Sequence, residues 1–418
     1  MPLQDQPDCG SRWKYVLIGV WVMMVVSIYQ YSWSLFAFSL SRELNWSVAT
    51  VSLTFTIFNV ATFLQPFTGI IADVRGPRGI AVLGALLVAA GMVLSSYVSE
   101  PWQLHLFYGI GGAGVGVFYG IATATAIKWF PDRRGFATGI VVFGFGAGTA
   151  LFNWLVQILL EGYGFRPTFR IIGVFMFLVL VPAALMYRYP PAGWKPAAPG
   201  SPAKAKAVVD FRPQEMMATR QWFLIYFCFS FTIAIVLLFA AQMKMLAKEY
   251  QLPQVYFDIL LVLFPIGNGL SRIVSGGVSD KLGREKTMTL FYGALGLSIF
   301  ALIQWGGSPV AFVALVFVAA LLGGSPFALY PATIGDYFGP KYSTVNYGIT
   351  YTAKAWAGLI SGWLSGYLMT QFGSFRIPLL IIAAGSLLAA VISSPGLMKA
   401  PKRREISGLK DIGASRTS

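Results

Sequence analysis

Two cations lie where a chain dissolved in lipid cannot leave them unanswered. Arg272 sits within Leu260 to Arg284, LLVLFPIGNGLSRIVSGGVSDKLGR, an apolar run with no other charge until its polar Gly/Asp/Arg turn. Along a helix it is roughly 12 Å from Asp280, too far to snorkel easily to the surface. A guanidinium keeps its proton there, and holding the charge at membrane depth costs at least about 2.5 kcal/mol unless it faces water or a partner. Lys354 is the second such cation, on one helical face with Tyr347 and Tyr351 at spacings of seven and three. All 16 acids fall in tails, loops or span ends, so the sequence offers no mid-membrane carboxylate for an intramembrane salt bridge. The remaining chemistry is capture of an anion from outside the chain. Arg272 can grip a carboxylate with paired N–H donors, while Lys354 supplies a point charge to a second carboxylate or a hydroxyl. Asn268 lies one turn before Arg272.

The elements that position these residues follow from composition. With 418 residues, 56% hydrophobic and 11% charged, and a mean hydropathy of +0.67, most of the chain belongs in lipid. Apolar runs cover about 15–40, 47–72, 79–98, 102–128, 136–160 and 167–187, then 221–243, 254–279, 287–306, 309–335, 345–371 and 375–397. Each is long enough to cross a roughly 30 Å hydrocarbon core. The first is too long for a signal-peptide core and reads as a retained span. The expected class is an all-α membrane protein of twelve transmembrane helices in two six-helix bundles. The expected domains are an N-terminal tail (1–14), a first bundle (15–188), a Pro/Ala/Lys-rich flexible linker (189–219), a second bundle (220–398) and a basic tail (399–418).

Charge orients the chain. With both termini cytoplasmic, and residues at span ends counted with the adjoining segment, inner segments hold 23 of the 31 Lys and Arg, outer segments 6 and the span interiors 2, as the positive-inside rule prefers. That accounts for the net charge of +15 without a nucleic-acid partner, and the basic tail suits anionic headgroups. The expected location is a prokaryotic inner membrane, crossed many times.

The halves echo each other. Gly69-Ile-Ile-Ala-Asp73-Val-Arg75-Gly76-Pro-Arg78 follows the second span and Gly276-Gly-Val-Ser-Asp280-Lys-Leu-Gly283-Arg284 the eighth. Asp73 and Asp280 are 207 residues apart, as are Gly76 and Gly283, and Phe130 and Phe338 are 208 apart. Internal duplication with a site at the repeat interface is a transporter plan. Asp73 and Asp280 at helix ends can accept from neighbouring helix N-termini and pair with Arg75 or Arg284, which makes these turns and Arg78 gate elements rather than ligands.

These motifs, on a six-plus-six layout, resemble the major facilitator superfamily across essentially the whole chain. Within it, Tyr29-Gln-Tyr-Ser-Trp33, Gly114-Val-Gly-Val-Phe-Tyr119-Gly, Trp129-Phe-Pro-Asp-Arg-Arg-Gly135, Asn346-Tyr-Gly and Ala353-Lys354 look like the bacterial oxalate/formate antiporter family. More distantly, the chain resembles the monocarboxylate porters. The resemblance implies that Arg272 and Lys354 point into a central cavity, one from each side of the substrate. Tyr119, Tyr31, Trp33, Phe327, Tyr330 and Tyr351 are candidates to wall it, and Gln30 and Asn268 complete the candidate set. The sequence departs from the oxalate transporters where they carry Trp and Tyr and this chain has Tyr351 and Phe327. It departs from the monocarboxylate porters at Asn268, where they carry a proton-bearing Asp.

Other signals are weaker. Gly109-Ile-Gly-Gly-Ala-Gly114 satisfies GxGxxG but lies in an apolar span, where close helix packing is the better reading, as for Gly144, Gly146 and Gly148. The single histidine, His105, reads as an interfacial contact. The two cysteines, Cys9 and Cys228, match no disulfide framework or metal site, and no cofactor and no enzymatic nucleophile–base cluster is expected.

The expected function is alternating-access transport of a small carboxylate, with a monocarboxylate such as lactate, pyruvate or formate carried by proton symport. The alternative is oxalate/formate-type exchange, and a carboxylate sensor of the same frame would bind without turnover. Two couplings suit the site: an anion neutralises both cations before reorientation, or Lys354 is uncharged in the desolvated site and an arriving anion recruits its proton. Uptake into proteoliposomes that vanishes when internal substrate is omitted would exclude simple symport.

Overall fold

A computed structural model describes residues 9–64, 67–68, 71–72, 75–130, 134–191, 210–339 and 342–401, and among these the chain forms helices and no strand. Among the described residues, nine helical segments are long and apolar enough to cross a membrane, and Val48–Leu64 and Arg376–Ile392 are shorter apolar helices. The twelve apolar runs all carry helix. Several are single continuous helices, among them Pro101–Trp129, Phe165–Met186, Gln254–Leu282, Arg284–Trp305 and Arg376–Ile392. Others are broken where they meet the centre of the bundle. The first is split into Cys9–Val26, Ile28–Tyr31 and Trp33–Leu44, the fifth at Gly148 and the seventh at Ile233. The tenth is split between Gly323 and Pro326, and the eleventh at Thr352 and again by a π turn, Ile360–Leu364.

The duplication seen in the motifs is repeated in the packing. The third span lies on the fourth and sixth, and the ninth on the tenth and twelfth; the second lies on the fourth and the eighth on the tenth. Between halves the pairing is reciprocal: the fifth span packs on the eighth and the eleventh on the second, while Ala234–Glu249 lies on Trp33–Leu44. Gly76 and Gly283 precede the third and ninth spans with φ/ψ of 83°/161° and 88°/160°, a left-handed φ that other residues avoid. GxGxxG serves close packing: a Cβ on Gly114 would meet the Gly84 carbonyl oxygen at 2.6 Å.

Two carboxylates repeat the same device at the opposite end of the bundle. Glu43, closing the first span, accepts from the Phe165 amide at 3.1 Å, and Glu249, closing the seventh, accepts from the Phe375 amide at 2.9 Å and from Ser374 Oγ at 2.6 Å. Each satisfies an orphan N–H at the start of the last span of its own half and meets the positive end of that helix. The far part of the segment expected to be a flexible linker is docked instead. The Phe211 amide donates to the Phe338 carbonyl at 2.9 Å, Asn346 Nδ2 donates to the Phe211 carbonyl at 3.1 Å, and Pro213–Met217 is a short helix. Residues 1–8, 192–209 and 402–418, covering parts of the two expected tails and of the linker, lie outside the described residues.

Substituting Glu249→Ala removes a cap of about 1 kcal/mol and should lower the thermal midpoint of the purified protein by about 2–4 °C, with Glu43→Ala behaving alike.

Candidate functional site

The first span's break builds one wall. Tyr29 points away from the cations, donating its hydroxyl to the Val88 carbonyl at 2.6 Å, and its own carbonyl accepts from Tyr108 Oη at 2.7 Å. Ser32 Oγ donates to Asn153 Oδ1 at 2.7 Å. These anchors hold the short helix Ile28–Tyr31 so that Gln30 crosses to the other half, where Lys354 Nζ donates to its Oε1 at 2.7 Å. Arg272 also reaches across, donating from Nη1 to the Val142 carbonyl of the fifth span. Arg272 and Lys354 are 5% and 2% exposed. Among the described residues neither forms a salt bridge, and each lies within the other's field.

Aromatic rings fill the space around the two cations. The Arg272 guanidinium carbon lies 5.0 Å from the Phe327 ring centre, and Lys354 Nζ lies 5.7 Å from the rings of Tyr351 and Phe58. Tyr351 is 6.3 Å from Phe327 and stacks on Tyr119 at 5.4 Å, so these rings link the two cations. Tyr119 meets Phe145 edge-on, as does Tyr31, whose hydroxyl lies beside Arg272, Asn268 and Gln30. Asn268 is fully buried against Gly324, at the break of the tenth span, with neither amide atom hydrogen-bonded among the described residues. Arg272 Nε and Ser271 Oγ likewise have no hydrogen-bond partner among the described residues, and Tyr31 Oη, beside Asn268, Gln30 and Arg272, makes no hydrogen bond of normal geometry there. Buried polar atoms of this kind are satisfied in native structures by water or ligand, so the cluster suits a small polar guest.

The structure thus brings Arg272, Lys354, Gln30, Asn268, Tyr31, Tyr119, Tyr351 and Phe327 together. Two expected residues stand apart. Trp33 packs on Tyr108 at 4.4 Å and on Phe55, and Tyr330 packs inside the second half on Phe229 and Tyr292. The residue that sequence reasoning missed is Asn153. Pro265 has no N–H, so the Leu261 carbonyl one turn earlier loses its helical partner. Asn153 Nδ2 donates to that carbonyl at 3.2 Å while its Oδ1 holds Ser32, joining the first, fifth and eighth spans through one amide. An Asn in an apolar run, opposite a run containing a proline, was the available signal. Gly146 was read only as a packing glycine, yet a Cβ there would meet Gly269 Cα at 3.0 Å and the Arg272 guanidinium at 3.2 Å.

The described members of the expected gate set lie at the Gly76 end. Asp73 falls outside the described residues. Arg75 is exposed and Arg78 Nε donates to the Tyr187 carbonyl at 3.3 Å. Arg284 pairs with Asp280 at 2.9 Å, as expected for its half, and also with Asp336 at 2.9 Å, tying the turn to the end of the tenth span.

A two-fold helical repeat with a polar, aromatic-lined centre at the junction of its halves is the plan of a secondary transporter. The chain belongs to the Major Facilitator Superfamily, whose family model matches residues 20–245 and 222–411. It is therefore a multi-pass membrane transporter and not an enzyme. It is 34% identical to the oxalate:formate antiporter of Oxalobacter formigenes, over 92% of this chain and 91% of that protein. It is 33% identical to an uncharacterized 38 kDa protein of Thermoproteus tenax, over 90% and 94%, and 25% identical to monocarboxylate transporter 13 of Bos taurus, over 92% and 89%.

Gly146→Ala forces Arg272 or the eighth span to yield, a strain of about 1–3 kcal/mol. Transport should fall at least about tenfold while the protein stays monodisperse, as measured by uptake into proteoliposomes.

Proposed function

We propose that this protein carries small carboxylate anions across the inner membrane by alternating access, with a short dicarboxylate of the oxalate type exchanged for another carboxylate. The observation that carries this reading is the pair of buried cations, Arg272 and Lys354, facing the opposite half with only neutral acceptors bonded to them among the described residues. A dicarboxylate can answer both charges at once: Arg272 takes one end with its paired N–H donors, and Lys354 leaves Gln30 for the other. Desolvation by the surrounding rings strengthens both contacts and penalises any guest that leaves a charge unanswered. The antiporter from Oxalobacter formigenes, similar over nearly its full length, supports the same substrate class. The Lys and Arg distribution supports an orientation with both termini cytoplasmic, in which substrate enters from outside at the Glu43 end and from the cytoplasm at the Gly76 end.

A second reading, monocarboxylate transport with a proton, is favoured by the neutral partners themselves. A single carboxylate can occupy Arg272 alone while Gln30 keeps Lys354 satisfied. It also agrees with the weaker similarity to a monocarboxylate transporter.

Uptake of labelled oxalate and labelled lactate into preloaded proteoliposomes, with and without an inward proton gradient, separates the two. Arg272→Ala should reduce transport of either substrate at least about 100-fold, whereas Lys354→Gln should abolish oxalate exchange and weaken lactate less. Wild-type rates in Arg272→Ala would remove the site.

A further inference from the structure

At both junctions between the halves, a polar side chain of the first half reaches into a fault in a second-half helix. The two faults differ in origin. In the eighth span the fault is covalent: Pro265 frees the Leu261 carbonyl permanently, and Asn153 fills the gap. In the eleventh span the fault is the π turn Ile360–Leu364, which contains no proline. There Thr56 Oγ1 of the second span donates to the Gly358 carbonyl at 2.9 Å and accepts from the Trp363 amide at 3.0 Å. These are the carbonyl and amide that pair five residues apart in a π turn, so the hydroxyl is inserted into the ladder of the eleventh span.

Three further observations show that the insertion is accommodated. Thr56 is 6% exposed, and a Cβ on Gly362 would meet its Oγ1 at 2.6 Å, so glycine is what admits the hydroxyl. Gly358, Gly362 and Gly366 form the surface on which Asn59, Thr56 and Ser52 lie. Gln242 of the seventh span closes the row by donating to Ser52 Oγ at 2.6 Å. The row lies between the site and the Glu43 end.

Lys354 precedes Gly358 by one helical turn. We propose that Thr56 is a positioning residue for Lys354, and that its hydroxyl entering and leaving the eleventh span couples the junction of the halves to the direction in which Lys354 points. The inference rests on the reading of Lys354 as an anion donor. A transporter that loads from the Glu43 end must part the second span from the eleventh, which withdraws the hydroxyl. Because no proline holds the fault open, the ladder then closes on itself and the extra residue of the π turn is taken up. Removing one residue from a turn rotates the helix on either side by up to about 100°, enough to carry Lys354 Nζ away from Gln30. When the junction closes, Thr56 re-enters and swings Lys354 back towards the centre. The eighth span, its fault fixed by Pro265, keeps Arg272 in one orientation throughout. One cation is therefore a fixed anchor and the other a movable one.

The test compares Thr56→Val, which keeps the shape and removes the hydroxyl, with Thr56→Ser, which keeps the hydroxyl. Oxalate affinity is read from counterflow in proteoliposomes and from the ligand-induced thermal shift of purified protein. Thr56→Val should weaken oxalate about tenfold and Thr56→Ser by less than about twofold, two neutral hydrogen bonds being at stake. In a Lys354→Gln background, where exchange is lost and the ligand-induced thermal shift at high oxalate reports binding, adding Thr56→Val should change affinity by less than about twofold, since its effect runs through Lys354. Equal losses in Thr56→Val and Thr56→Ser, wild-type affinity in Thr56→Val, or the full Thr56→Val penalty persisting without Lys354 would each overturn the proposal. Thr56→Ala, which only removes atoms, must follow Thr56→Val and replaces it should the valine variant not fold. Wild-type oxalate affinity in Lys354→Gln alone would instead remove the reading of the site on which the proposal rests.

Discussion

The burial of two cations with only neutral acceptors constrains the whole molecule. Removing a guanidinium and an ammonium from water is costly, and a carbonyl or amide oxygen repays part of that cost where a carboxylate would repay much more. Arg272 and Lys354 both belong to the second half and both bond to the first, to the Val142 carbonyl and to Gln30. The central charges thus bond across the junction of the halves, and in the proposed function a guest anion and the closure of the protein would compete for the same donors.

Duplication makes such a junction possible. Reciprocal packing of the fifth span on the eighth and the eleventh on the second gives two similar seams. Small residues let the backbones approach closely along both: Gly146 against Gly269 on one seam, and Gly358, Gly362 and Gly366 against the second span on the other. The seams have since diverged. One carries a proline-generated gap with an asparagine in it, the other a π turn with a threonine in it.

The fold was legible because its signal is collective. Lipid demands long apolar helices, and the recurrence of Asp, Gly and basic residues after the second and eighth spans declares the repeat. The cations were legible for the same reason, since a charge in an apolar run stands out at Arg272 and Lys354. What could not be read was anything set by helix faults. At Ser27 and Thr352 the hydroxyl bonds the carbonyl three residues earlier, and beside Ser32 the Tyr29 carbonyl is taken by Tyr108; the many other Ser and Thr of the spans carry the same local potential, so the sequence does not single these out. Trp33 and Tyr330 shared the composition of a cavity wall but were turned into their own halves by Tyr108 and Phe229. Asn153 went unnoticed because its importance comes from a proline more than a hundred residues away.

The docked end of the linker bears on how weak the junction can be. The first half holds its outgoing chain through Arg78 on the Tyr187 carbonyl, and the second half holds the incoming chain through Phe338 and Asn346 on Phe211. The covalent connection is therefore gripped near both ends, and each half meets the other at a fixed local concentration rather than by free encounter. A pair of domains leashed in this way does not need a tenacious interface to remain one protein. Its seams can consist of single hydroxyls, amides and glycine contacts, each cheap to break, and the molecule can part and rejoin along them many times without coming apart.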